Sequence, residues 1–156
     1  MNEGRSKVVN VTKVRRFGLI GHPLGHSLSP LIHARIMEVV GIKGEYKLYD
    51  LKPQELKEEL PKLISSLDGF NCTIPYKQAV IPYLQTIAPC AEGYGAVNTV
   101  YRGVGYNTDG AGFIACQVPM KGKNVCVLGA GGVARVLALE AAREGAREVL
   151  VQARNK

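Results

Sequence analysis

Short apolar runs alternate with helical patterns through the first half of the chain, and this alternation restricts the fold more than any other feature. Positions 17–20 read as a buried strand, followed by the loop Gly21-His22-Pro23-Leu24-Gly25-His26-Ser27. Ser29-Pro30 then predicts a helix start, with Ser29 as N-cap and Pro30 at the first helical position, and Gly41 predicts its stop. A strand is expected over 46–51. A helix is expected over 53–67, where Leu56, Leu60, Leu63, Ile64 and Leu67 recur at helical spacing. Another strand is expected over 69–74. Strands joined by helical crossovers give a parallel-rich sheet. Two further strands, 96–101 and 104–106, flank Arg102-Gly103, a hairpin connection that adds antiparallel pairing.

A polar connector at 119–123 divides the chain into two expected domains, 1–120 and 121–156. The second reads as strand 124–128, then Gly129-Ala130-Gly131-Gly132-Val133-Ala134, a helix ended by Gly145, and strand 148–152. The expected class is therefore α/β: a mixed, mostly parallel sheet domain followed by an incomplete Rossmann-like β-α-β unit. The glycine segment fits G-x-G-x-x-A between a strand and a helix. In that context glycine permits a tight turn and close backbone approach to a pyrophosphate, which the positive helix end attracts. Gly129, Ala130, Gly131, Gly132, Val133 and Ala134 are thus candidate cofactor-binding residues. An acid at the end of the next strand would suit the ribose hydroxyl of NAD, but the chain there reads Gln152-Ala153-Arg154-Asn155-Lys156. Arg154 can grip a phosphate in two places, which favours NADP.

Composition narrows the remaining classes. The formal charge of +7 comes from scattered bases without interleaved aromatics, so no nucleic-acid partner is expected and a small anionic ligand suffices. No apolar run is long enough to span a bilayer, and Arg5, Lys7, Lys13, Arg15 and Arg16 precede no signal-like apolar stretch, so no membrane association and a cytoplasmic location are expected. Cys72, Cys90, Cys116 and Cys126 have no metal spacing and are expected to be reduced packing residues. His22, His26 and His33 lack the acids or thiols that would complete a ligand set, so no metal is expected.

Four segments occur in order before the glycine loop: Gly21-His22-Pro23-Leu24-Gly25-His26-Ser27-Leu28-Ser29-Pro30-Leu31-Ile32-His33; Asn71-Cys72-Thr73-Ile74-Pro75-Tyr76-Lys77; Gly95-Ala96-Val97-Asn98-Thr99; and Gly105-Tyr106-Asn107-Thr108-Asp109-Gly110. Together they resemble shikimate dehydrogenases over 17–156. The resemblance implies that Ser27 and Ser29 hold a substrate carboxylate and that Asn71, Thr73, Asn98 and Asp109 line a hydroxylated ring. It implies that Lys77 and Asp109 form the catalytic pair, moving the hydroxyl proton as hydride passes to or from NADP. The implied reaction is NADPH-dependent reduction of 3-dehydroshikimate to shikimate, on the route to chorismate and the aromatic amino acids.

Taken singly, these residues admit plainer roles: Lys77 a surface lysine at a helix start, Asp109 an N-cap, Asn71 and Thr73 groups that satisfy a strand end. Their joint occurrence in order carries the functional reading. Ala34 and Cys72 stand where the family commonly has Asn and Val, and the hairpin before Asp109 is short. The family's further nucleotide-domain strands and a substrate-contacting Gln would lie beyond Lys156. The chain is accordingly expected to be a truncated form with low or no turnover, and its second sheet to leave a face and an edge open for self-association. A quinate/shikimate dehydrogenase using NAD and a non-catalytic shikimate-binding module are the alternatives.

Overall fold

A computed structural model describes residues 14–153. The expected alternation is present. Strand β1 (Arg15–Gly21) leads to helix α1 (Ser29–Val39), then β2 (Gly44–Asp50), α2 (Leu56–Ser66) and β3 (Gly69–Cys72). Short elements follow: α3 (Tyr76–Ala79), β4 (Thr86–Ile87), α4 (Pro89–Glu92), the hairpin β5 (Thr99–Tyr101) and β6 (Val104–Tyr106), and α5 (Asp109–Ala115). The chain then forms β7 (Asn124–Leu128), α6 (Gly132–Arg143) and β8 (Glu148–Gln152).

The first six strands make one sheet in the order β2-β1-β3-β5-β6-β4. β1 runs parallel to β2 and β3, and β4 parallel to β6, whereas β5 is antiparallel to both β3 and β6. The sheet is thus mixed and mostly parallel, as expected. Arg102 and Gly103 both take positive φ, 50° and 76°, which is what a two-residue hairpin turn demands. β7 and β8 pair in parallel as a separate sheet.

Pleating sends alternate residues to opposite faces. On one face Ile20, Phe70, Cys72 and Val100 join Leu60 and Leu63 of α2 in the main core. Leu60 is fully buried, and a side chain of that kind contributes about 1.5–3 kcal/mol by leaving water. The other face carries Phe17, Leu19, Tyr46 and Asn71 beneath α1, whose Met37 is buried while Leu31 and Val39 stay exposed.

Several boundaries differ from expectation. Ser29 is not the N-cap of α1: Leu28 holds that position and Ser29 is the first helical residue. The stretch expected as one helix over 53–67 opens with a 3-10 turn, Pro53–Glu55. β3 ends at Cys72 and β5 starts only at Thr99, because the residues beside them turn to form loops. The cysteines also depart from expectation: Cys72 is buried, but Cys90, Cys116 and Cys126 are exposed free thiols. Cys126 is exposed because α6 covers one face of the second sheet. On the other face Leu128 and Leu150, 80% and 58% accessible, also meet solvent. No helix among the described residues is long and apolar enough to cross a membrane.

Candidate active site

In a parallel sheet, ligands bind at the carboxyl ends of strands. β1 ends at Gly21 and β3 at Cys72, so the loops that follow them lie side by side, joined by the His22 N–H donating to the Ile74 carbonyl at 3.0 Å. The approach is close: a Cβ on Gly21 would fall 2.4 Å from Thr73 Cγ2. Asp50, at the end of β2, ties the first loop down. Its carboxylate meets His22 Nδ1 at 2.6 Å and accepts the Leu24 N–H at 2.9 Å. The Leu24 amide and then His22 hold the Asp50 carboxyl below the ordinary carboxylate range. Ser27 Oγ accepts the Ser29 N–H at 3.3 Å. Ser27, Ser29, His26 and Thr73 line a cavity of about 430 Å³.

Lys77, in the first turn of α3, is fixed through its backbone, since its carbonyl accepts the Val97 N–H at 2.7 Å. Its Nζ lies 2.6 Å from Asp109 Oδ2, with the two side chains 13% and 24% accessible. Asp109 is not an N-cap, a position held by Thr108. It is aimed by neighbours: buried Asn107 accepts the Asp109 N–H at 2.9 Å and donates to the Ala96 carbonyl at 2.9 Å. Asn98 Nδ2 donates to Asp109 Oδ1 at 2.8 Å. Lys77, Asn98 and Asp109 therefore converge.

Asn71 adjoins that group, its Nδ2 donating to the Asn98 carbonyl at 3.3 Å. Its Oδ1 accepts the Tyr46 hydroxyl at 2.8 Å and its Nδ2 donates to Thr99 Oγ1 at 3.0 Å. Burial pushes the Tyr46 phenol well above its usual range, nearby Cys72 adds to this, and a hydrogen bond with the Ser29 hydroxyl partly opposes it. His33 stacks on the Tyr46 ring, centroids 4.0 Å apart. Sequence reading missed Tyr46 and Asp50. Both sit on the edge strand β2, and only the register of β2 on β1 brings them to the site.

The glycine loop faces this site. Gly129 has φ +111°, and a Cβ on Gly129 or Gly131 would meet no other atom within 4 Å, so the backbone there is open to a ligand. Gly131 caps α6, a helix of 12 residues with no acidic side chain in its first turn, so its free N–H groups suit an anion. A Cβ on Gly132 would lie 3.7 Å from Lys77 Cδ. Gly129, Ala130, Gly131, Gly132, Val133 and Ala134 share a cleft of about 480 Å³ with Thr73 and Lys77. This cradle fits a dinucleotide pyrophosphate lying beside the lysine. Arg154 lies outside the described residues. No group of three or more His, Cys, Asp or Glu placed to hold a metal occurs among the described residues.

A family model described as the shikimate dehydrogenase substrate binding domain matches residues 19–100. The chain belongs to this family. A protein of Shouchella clausii named shikimate dehydrogenase (NADP(+)) is 46% identical over 134 residues, covering 79% of this chain and 49% of that protein. One of the same name from Caldanaerobacter subterraneus is 42% identical over 154 residues, covering 93% and 54%. The chain spans about half the length of the curated relatives it matches. Among solved structures, shikimate dehydrogenase 1 of Peptoclostridium difficile superposes with a TM-score of 0.86 at 32% identity, covering 92% of this chain and 58% of that one. Shikimate 5-dehydrogenase of Thermus thermophilus, solved with NADP(H) and shikimate, has a TM-score of 0.81 at 39% identity, covering 91% and 57%.

Proposed function

We propose that the chain provides the substrate-binding, proton-transferring part of an NADP-dependent shikimate dehydrogenase together with its phosphate-binding loop, with the split falling between 1–120 and 121–156. The reaction is reduction of 3-dehydroshikimate to shikimate. The observation that carries this reading is the Lys77–Asp109 pair, whose lysine shares one cleft with the glycine loop.

In this reading Ser27 and Ser29 donate hydroxyl hydrogen bonds to the ring carboxylate, and Asn71, Thr73 and Asn98 orient the ring hydroxyls. Reduction of a ketone needs a proton at the carbonyl oxygen. Lys77 Nζ, as an ammonium, donates it, and Asp109 Oδ2, 2.6 Å away, aims the Nζ. In the reverse direction the same nitrogen takes the hydroxyl proton. Gly129 to Ala134 would hold the pyrophosphate of NADP, with Arg154 toward its ribose phosphate; the bound nicotinamide supplies or accepts the hydride. The residues named are this chain's own, and the relatives' names support the choice of NADP over NAD. The exposed Leu128 and Leu150 support self-association through the second sheet, which light scattering would register.

Calorimetric titration of the folded chain with shikimate and with NADPH tests the reading. Shikimate is expected to bind, and Ser27→Ala and Lys77→Ala to weaken it. A folded chain that binds neither compound would favour a non-catalytic module instead.

A further inference from the structure

Glu140 is a charged residue in an unusual place. It lies in the middle of α6, only 8% accessible, and nothing in the proposed chemistry uses it. Its Oε1 accepts the hydroxyl of Tyr94, itself buried, at 2.6 Å, and is paired with Arg143 one turn further along the helix. The Arg143 guanidinium also lies over the Tyr94 ring, 5.7 Å from its centroid. Tyr94 belongs to the turn after α4, in the first sheet's part of the chain, so this buried contact crosses from one sheet's elements to the other's.

The Tyr94 hydroxyl touches a third element. It sits where a Cβ of Gly110 would be, 2.1 Å away, and Gly110 is the second residue of α5, directly after Asp109. The turn also meets α6 at two levels: a Cβ on Gly95 would lie 3.4 Å from Arg135 Nη1, and one on Gly93 would lie 3.7 Å from Arg143 Nη2. Arg135 and Arg143 are eight positions apart in sequence, roughly 12 Å along a helix. The turn therefore grips α6 along two turns of its length while bearing on the start of α5.

We infer that Tyr94 and Glu140 are positioning residues, forming a pin that sets where the glycine loop at the head of α6 stands relative to Asp109 at the head of α5 and its partner Lys77. Apolar packing tolerates sliding, because dispersion and burial are non-directional. A hydrogen bond to a buried carboxylate does not. Moving α6 by one residue along its axis would pull Glu140 off the Tyr94 hydroxyl and leave the mostly buried carboxylate with Arg143 of its own helix but without its donor from the other part of the chain. The functional meaning of the pin rests on the reading proposed above; its mechanical action does not.

The test uses the native thiols. With Cys116→Ser as the background, Cys90 on α4 and Cys126 on β7 are exposed for spin labels while Cys72 is buried. Pulsed dipolar spectroscopy then reads the distance between the two parts of the chain. A single narrow distance peak is expected in that background and with Glu140→Gln, which keeps the acceptor for Tyr94. Tyr94→Phe and Glu140→Ala are expected to lose the peak to a broad distribution while circular dichroism keeps its folded form. In titrations, Tyr94→Phe is expected to bind shikimate as the unaltered chain does, yet to lose the effect of NADP on shikimate affinity. A peak that stays narrow in both Tyr94→Phe and Glu140→Ala overturns the pin. So does global unfolding of both, since the contact would then belong to the core of one unit. An unaltered chain with a narrow peak that binds neither ligand fails the functional reading and leaves the pin standing.

Discussion

Lys77 Nζ and Asp109 Oδ2 meet at 2.6 Å although 32 positions separate the residues in sequence, and both side chains are largely withdrawn from solvent. Each is thus the other's principal source of compensation for burial. Removing Asp109 leaves an ammonium partly desolvated without its counter-charge, a loss of about 1–3 kcal/mol. Asp109→Ala and Lys77→Ala are each expected to lower the urea midpoint, and the double variant to cost less than the sum. Additive single costs in the double-mutant cycle would show that the pair is not coupled.

Gly110 has a packing reason to be glycine. A methyl group there would fall 2.1 Å from the Tyr94 hydroxyl oxygen and 2.8 Å from the ring carbon bearing it. Gly110→Ala is therefore expected to destabilise the fold by about 1–3 kcal/mol, the usual range for overpacking. Adding Tyr94→Phe removes the nearer clash and leaves the second, so recovery should be partial. Thermal melts of the two variants check this; an unaltered melting point for Gly110→Ala would contradict the contact.

The alternating elements, the hairpin at Arg102-Gly103 and the grouping of Lys77, Asn98 and Asp109 were legible because each rests on local pattern or on a motif with fixed order. Asp50, Tyr46 and the Tyr94–Glu140 contact were not. Asp50 and Tyr46 reach the site only through strand register, and Glu140 meets Tyr94 across 46 positions. The exposure of Cys126 was missed for a similar reason: an apolar run reads as a buried strand, but which of its faces is covered depends on what packs against it.

Burial differs sharply between the helices on the two faces of the first sheet. Leu60 of α2 is fully buried, whereas Leu31 of α1 is 72% accessible. Leu60→Ala removes three carbons of packing from a closed core and is expected to cost about 2–5 kcal/mol. Leu31→Ala should stay within about 0.5 kcal/mol of the unaltered chain. Chemical denaturation of both variants decides it, and equal losses would mean that the face beneath α1 is covered in solution.

Cys72 gives a pH signature. Burial pushes its thiol up to about 12 from an ordinary 9.0, a shift that nearby Lys77 only partly opposes. In the unfolded chain the thiol releases its proton from about pH 9 upward; in the folded chain it keeps it until about 12. Above pH 9 the unfolded state therefore binds fewer protons, and stability falls as pH rises, at up to about 1.4 kcal/mol per pH unit for one group. Below pH 9 the contribution is fully present. Tyr46, Tyr76 and Tyr94, all raised first of all by burial, extend the decline from pH 10. Cys72→Val should remove the earliest part of it, so the stability difference between the two chains should be flat below pH 9 and shift toward the variant above. A difference that stays flat to pH 10.5 would place Cys72 in a wetter site than its 2% accessibility indicates. The same shift lowers the thiolate fraction at pH 8 by about a thousandfold. Iodoacetamide is therefore expected to modify Cys90, Cys116 and Cys126 in the folded chain and Cys72 only after denaturation, as mass spectrometry would count.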